Sequence, residues 1–171
     1  MRSFPVLIAL ALLRTGCSGP AAAPPVAPAS GYAPAAEDPL EGLTRKVFAL
    51  TNRQRRLHGL HEFTWNDSLA RQARKQSTNM MEHGFFSHND PVQGLLAARL
   101  HAAGIPWIRC GENIFREHGL DDPPYAAVDG WMSSPGHRES LLDPLFTQTG
   151  VGIAISPDTE YFITQIFIRP R

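Results

Sequence analysis

From Ser18 to about Ala36 the chain is made of Ala, Pro, Gly and Ser with almost nothing to bury, and that tract limits where a fold can form. A segment of this composition behaves as an extended, semi-rigid spacer rather than as part of a packed core. At the polyproline rise of about 3.1 Å per residue it spans up to roughly 60 Å. A core is therefore confined to the residues C-terminal to this tract. We place one domain at residues 38–171, in a chain of 171 residues long enough for a single ordinary domain.

Ahead of the spacer, Arg2 precedes the apolar run Phe4 to Leu13, too short to span a bilayer but suited to the central region of a signal peptide. The run ends in Leu13-Arg14-Thr15-Gly16-Cys17-Ser18, which resembles a bacterial lipobox, where the signal is cut before a cysteine that carries lipid. Arg14 departs from that pattern, which has an apolar residue there. The expected organisation is a signal peptide at 1–17 ending at a lipidated Cys17, a stalk at 18–37, and the domain. Ordinary secretion, with Cys17 lost or idle, is the alternative. Either places the domain outside the cytoplasm, in the periplasm or cell envelope. Sixteen basic and sixteen acidic side chains balance to a formal net charge of +0, so no nucleic-acid partner is indicated, and membrane contact is expected only through the lipid. Cys110 is the one other cysteine, so no internal disulfide is expected, and it reads as a small buried hydrophobe.

Within the domain, Asp38-Pro39-Leu40-Glu41 carries helix-start signals. Leu43, Val47, Leu50, Gln54 and Leu57 then repeat at helical spacing. Arg45, Lys46, Arg53, Arg55 and Arg56 fall mostly off that stripe and read as a solvated face, or as a contact for anionic lipid or wall polymer. Asn66-Asp67-Ser68 caps a second helix through Leu69, Ala73, Ser77 and Met80, closed by Gly84. A third helix is expected from Asp90-Pro91 to Gly104. Trp107 to Cys110 reads as an interior strand that delivers Gly111-Glu112-Asn113-Ile114, and a helix forms around Ala127, Val128 and Trp131. Ser134 caps a further short helix that carries His137 in its first turn, where the dipole favours a neutral ring. Val151, Ile153 and Ile155, then Phe162, Thr164, Ile166 and Ile168, alternate as two strands of a hairpin. Helices before and after strands indicate an α+β domain.

Four ordered stretches resemble the bacterial branch of the CAP superfamily (cysteine-rich secretory, antigen 5 and pathogenesis-related proteins). They are Asn52-Arg53-Gln54-Arg55 with Trp65 to Ala70, Phe86-Ser87-His88, Gly111-Glu112-Asn113-Ile114, and Trp131 to Arg138 with its Ser133-Ser134-Pro135-Gly136-His137 core. The resemblance covers roughly residues 40 to 169. It implies a three-layer α-β-α sandwich around a mostly antiparallel sheet, with a cavity at His88, Glu112 and His137. Many eukaryotic members have a second acid three residues after the tryptophan; here Ser134 stands there, which weakens any mechanism needing two carboxylates.

Two imidazoles and a carboxylate make a legitimate ligand set for a divalent cation such as zinc, with His88, His137 and Glu112 as candidates. The bland reading is a buried hydrogen-bonded network in which Glu112 accepts from both histidines. Ser134 reads as a helix cap rather than a nucleophile, since neither Gly-x-Ser-x-Gly nor His-Glu-x-x-His occurs. His58, His61, His83, His101 and His118 read as surface or helix-end residues. The sequence thus favours a non-enzymatic protein binding a lipid, a cell-wall component or a cation in this cleft. A metal-assisted hydrolase with Glu112 as base, and a structural or partner-binding envelope module, remain the alternatives.

Overall fold

The computed structural model describes residues 40–171, so the expected signal peptide, stalk, lipidated Cys17 and Asp38 cap lie outside the described residues. Among the described residues five helices and four strands occur in the order α1 (Glu41–Leu57), β1 (Thr64–Trp65), α2 (Asp67–His83), α3 (Leu96–Ala102), β2 (Arg109–His118), α4 (Pro123–Ser133), α5 (Pro135–Leu142), β3 (Gln148–Ile155) and β4 (Glu160–Arg169). The sheet order is β1-β3-β4-β2. Only the short β1–β3 pairing is parallel; β3–β4 and β4–β2 are antiparallel.

Strand β4 shows why two helical layers form. It is buried on both faces. Its odd positions Ile163 and Phe167 join Val47, Val128, Trp131 and Leu141 from α1, α4 and α5. Its even positions Ile166 and Ile168 meet Leu69, Ala73 and Leu100 from α2 and α3. The α-β-α sandwich is thus built as expected, from a period of two on the strands and roughly 3.6 on the helices.

Four local expectations change. Strand β2 is an edge strand, paired with β4 alone, not an interior one. The third helix begins at Leu96 instead of Asp90. There the Asp90 carboxylate accepts from the backbone N–H groups of Val92 and Gln93, at 2.8 Å each, and stabilises a turn that runs to Gly94 with φ 78°. The inner face of α1 is Thr44, Val47, Thr51, Asn52 and Arg55, while Leu57 is 68% exposed. Its polar members are satisfied from a loop and from the sheet: Asn52 exchanges two hydrogen bonds with the backbone of Phe63, and Thr51 donates to Gln165 of β4. Arg55 is therefore buried, against its assignment to a solvated face. Cys110 is half-buried, and its thiol is pushed up first by burial and then by Glu112.

Candidate functional site

The site gathers around β2, the edge strand of the sheet. Trp131, buried in α4, donates its indole N–H to the outward carbonyl of Ile114 at 3.0 Å. That contact seats the end of α4 on the edge and delivers α5, whose first turn holds His137. Asn113, fully buried on β2, donates to the His137 carbonyl at 3.0 Å. Its neighbour Glu112 points to the opposite face, toward α3.

His88 arrives on the loop after α2. Gly84 ends that helix in the left-handed region, φ 65°, where glycine is favoured. The loop is then held from two helices: Gln76 of α2 donates to the Ser87 carbonyl at 2.9 Å, and Arg99 of α3 to the His88 carbonyl at 3.4 Å. The imidazole Nδ1 lies 3.0 Å from Glu112 Oε1, while the Arg99 Nη2 donates to Glu112 Oε2 at 2.8 Å. The side chains of Arg99 and Glu112 are 2% and 3% exposed, against 48% for His88. Glu112 is thus a buried acid tied on both oxygens.

The His137 ring stands with its centroid 6.4 Å from that of His88. Its Nδ1 is 2.9 Å from Ser134 Oγ. Ser134 sits at the N-cap position of α5 but makes no capping hydrogen bond, its hydroxyl being turned to the imidazole. Burial, and after it the neighbouring His88, push the His137 imidazole below its ordinary value, so the neutral ring is favoured. Glu112 therefore does not accept from both histidines; each ring has its own partner.

Between the rings opens a cleft of about 490 Å³, with Phe86, Leu95 and Ile114 as apolar walls and His88, His137 and Asn89 as polar groups. Glu112 and Ser134 lie behind the rings and do not line it. Of the expected cavity residues His88, Glu112, His137 and Ser134, the structure brings all together but only the two histidines line the cleft. As a centre for zinc the donor set is one ligand short: a hydrogen-bonded Nδ1 still leaves each imidazole its Nε2, but both Glu112 oxygens are engaged. No group of three metal-ligating side chains occurs among the described residues. Zinc centres take three or four protein ligands. Glu112 is equally ill placed as a general base, because an Arg-paired carboxylate accepts hydrogen bonds already.

Gln76, Arg99 and Asn113 were not read from the sequence as site residues. For Arg99 a signal was available, since it falls between Leu96 and Leu100 on the inner stripe of α3, an unusual place for a cation.

A sequence profile of the Cysteine-rich secretory protein family, CAP, matches residues 48–167. The chain belongs to this family. Among the proteins it resembles, the uncharacterized membrane protein YlbC of Bacillus subtilis (strain 168) is 38% identical over 125 residues, covering 73% of this chain and 34% of YlbC. The uncharacterized protein YkwD of the same organism is 32% identical over 143 residues, covering 82% of this chain and 54% of YkwD. This CAP protein thus spans between a third and about half the length of these relatives. Of solved structures, an extracellular protein containing an SCP domain from Bacillus anthracis str. Ames superposes with a TM-score of 0.67 at 38% identity, covering 75% of this chain and 40% of that one. The CAP motifs and the sandwich read from the sequence are those of the family.

Proposed function

We propose that this CAP domain is an exported, non-enzymatic binding module whose cleft takes one small amphiphilic ligand, its apolar part against Phe86, Leu95 and Ile114 and its head between His88 and His137. The observation that carries the reading is the pairing of exposed apolar walls with two imidazoles whose buried sides are already hydrogen-bonded. Phe86 is 43% and Leu95 60% exposed, and the cleft volume falls in the range of small-molecule sites. A lipid or a cell-wall component with an apolar part fits this chemistry. Against a hydrolase that uses Glu112 as its base stands the engagement of that carboxylate by Arg99.

The test is fluorescence titration with 1-aminoanthracene, a neutral apolar probe. A Phe86→Asp, Leu95→Asp variant is expected to weaken binding by roughly tenfold or more, since each lost apolar contact is worth about 1.5–3 kcal/mol at full burial. Its thermal midpoint should hardly move, because both side chains are exposed. Equal affinity for the two proteins would remove the cleft as the binding site.

Export and tethering form the second half of the proposal. They rest on the apolar run Phe4 to Leu13, on Cys17, and on the description of the Bacillus anthracis relative as extracellular. Cys17→Ser is expected to shift the chain from the membrane fraction to the soluble one, and membrane association unchanged by that substitution would sink the lipid anchor.

A further inference from the structure

We propose that Arg99 is the positioning residue of this cleft: acting through Glu112, it sets which nitrogen of His88 carries the proton and so selects a neutral, hydrogen-bond-donating head group over an anionic one. The selection of ligand rests on the cleft reading above; the positioning of His88 does not. Arg99 makes an odd stabiliser. Its guanidinium is permanently charged and 2% exposed, yet its Nε and Nη1 find no hydrogen-bond partner. Well-packed apolar residues commonly serve stability as well as a buried ion pair does. What the charge does instead is fix Glu112.

Two polar groups that meet must be one donor and one acceptor. With Arg99 Nη2 donating to Oε2, the Glu112 carboxylate accepts on both oxygens, so the 3.0 Å contact to His88 requires the proton on Nδ1. The neutral ring then carries its lone pair on Nε2, on the edge turned away from Glu112 and toward the cleft. A carboxylate or phosphate oxygen meets a lone pair there; an O–H or N–H meets an acceptor. Across the cleft, His137 Nδ1 faces the Ser134 hydroxyl, which donates or accepts as required, so that ring is free to offer a donor. A ligand hydroxyl is complementary to this pair: it donates to His88 Nε2 and accepts from His137.

The test uses 15N NMR of the full chain at alkaline pH, where imidazoles are neutral, together with calorimetry using 1-decanol and decanoate as probes. In the native protein Nδ1 of His88 should give the protonated-type signal and Nε2 the lone-pair type, and decanol should bind about tenfold more tightly than decanoate. In Glu112→Gln, Arg99 keeps the amide oxygen and turns the NH2 toward His88, so the two 15N signals should exchange and the preference for the alcohol should be lost. In Arg99→Met, Glu112→Gln the amide is free to present either its oxygen or its NH2, so the exchange should relax and the two 15N signals should move to intermediate positions. A purely structural Arg99 would produce neither exchange nor relaxation. Signals unmoved in Glu112→Gln, or fully exchanged in the double variant, would overturn the proposal; should the double variant not fold, the single one decides. If the signals behave as expected but neither probe binds, the positioning role stands and the ligand reading fails. If both probes bind with equal affinity to every variant, the selection claim is overturned.

Discussion

Gly152→Ala is expected to leave no cooperatively folded domain at room temperature. A Cβ at Gly152 would lie 1.9 Å from the Arg74 backbone nitrogen and 2.3 Å from its Cα, and one at Gly150 would lie 2.2 Å from the Ala70 nitrogen. Helix α2 rests directly on the backbone of β3, and Ser77 bonds to the Gly152 carbonyl at 3.0 Å in the same contact. The obstructing atoms are helix backbone, so no rotamer change relieves the overlap; the whole of α2 must move. Overpacking commonly costs about 1–3 kcal/mol where side chains can yield. Lifting a helix from its sheet costs more, against a total stability of about 5–15 kcal/mol. The control is Gly136→Ala at the start of α5, where nothing lies within 4 Å, and there the thermal midpoint should hold or rise slightly. A Gly152→Ala protein melting within a few degrees of the native one would mean that α2 is not seated as described.

The glycine pair illustrates what could be read in advance. Alternation along Val151 to Ile168 and the capping signals at Asn66 and Gly84 depend on near neighbours in sequence, and those elements formed where expected. Strand order does not depend on near neighbours. The short run Trp107 to Cys110 does not tell that β2 has one partner instead of two; the polar residues that follow, Glu112, Asn113, Arg116 and Glu117, and its partial burial beside the buried β4 are the mark of an edge strand. The Asp90 turn was misread for a related reason: Asp-Pro starts a helix or a turn with equal ease, and the choice fell to the Asp90 carboxylate, which also accepts from Asn79 at 2.7 Å. At the site, the family motifs supplied His88, Glu112 and His137. Of the groups that hold them, Ser134 lies within the last motif, but Arg99 and Gln76 come from other elements and are fixed only by packing, so the division of roles between exposed ring and buried acid was beyond the motifs.

Arg55 carries the same lesson into the second large effect. A basic run reads as a solvated face, yet this guanidinium is 2% exposed and reaches four carbonyls: His61 at 2.7 Å, Leu141 at 2.9 Å, Asp143 at 3.0 Å and Phe146 at 3.4 Å. It also lies 3.8 Å from the centroid of the Phe63 ring. Burial pulls its pKa down, and Asp143 opposes that. The residue ties α1 to the end of α5 and to the loop entering β3, three segments that no strand pairing joins. Arg55→Ala should therefore cost about 3–5 kcal/mol, the range for removing one member of a buried charged network, because several carbonyls lose their donor at once. Arg55→Lys keeps the charge but not the planar fork, and one ammonium cannot reach carbonyls spread from His61 to Phe146. We expect it to recover less than half of the lost stability in denaturant unfolding, with faster amide exchange in α5, whose first turn holds His137. Full recovery by lysine would show that charge alone fills this position and that the fork holds nothing together.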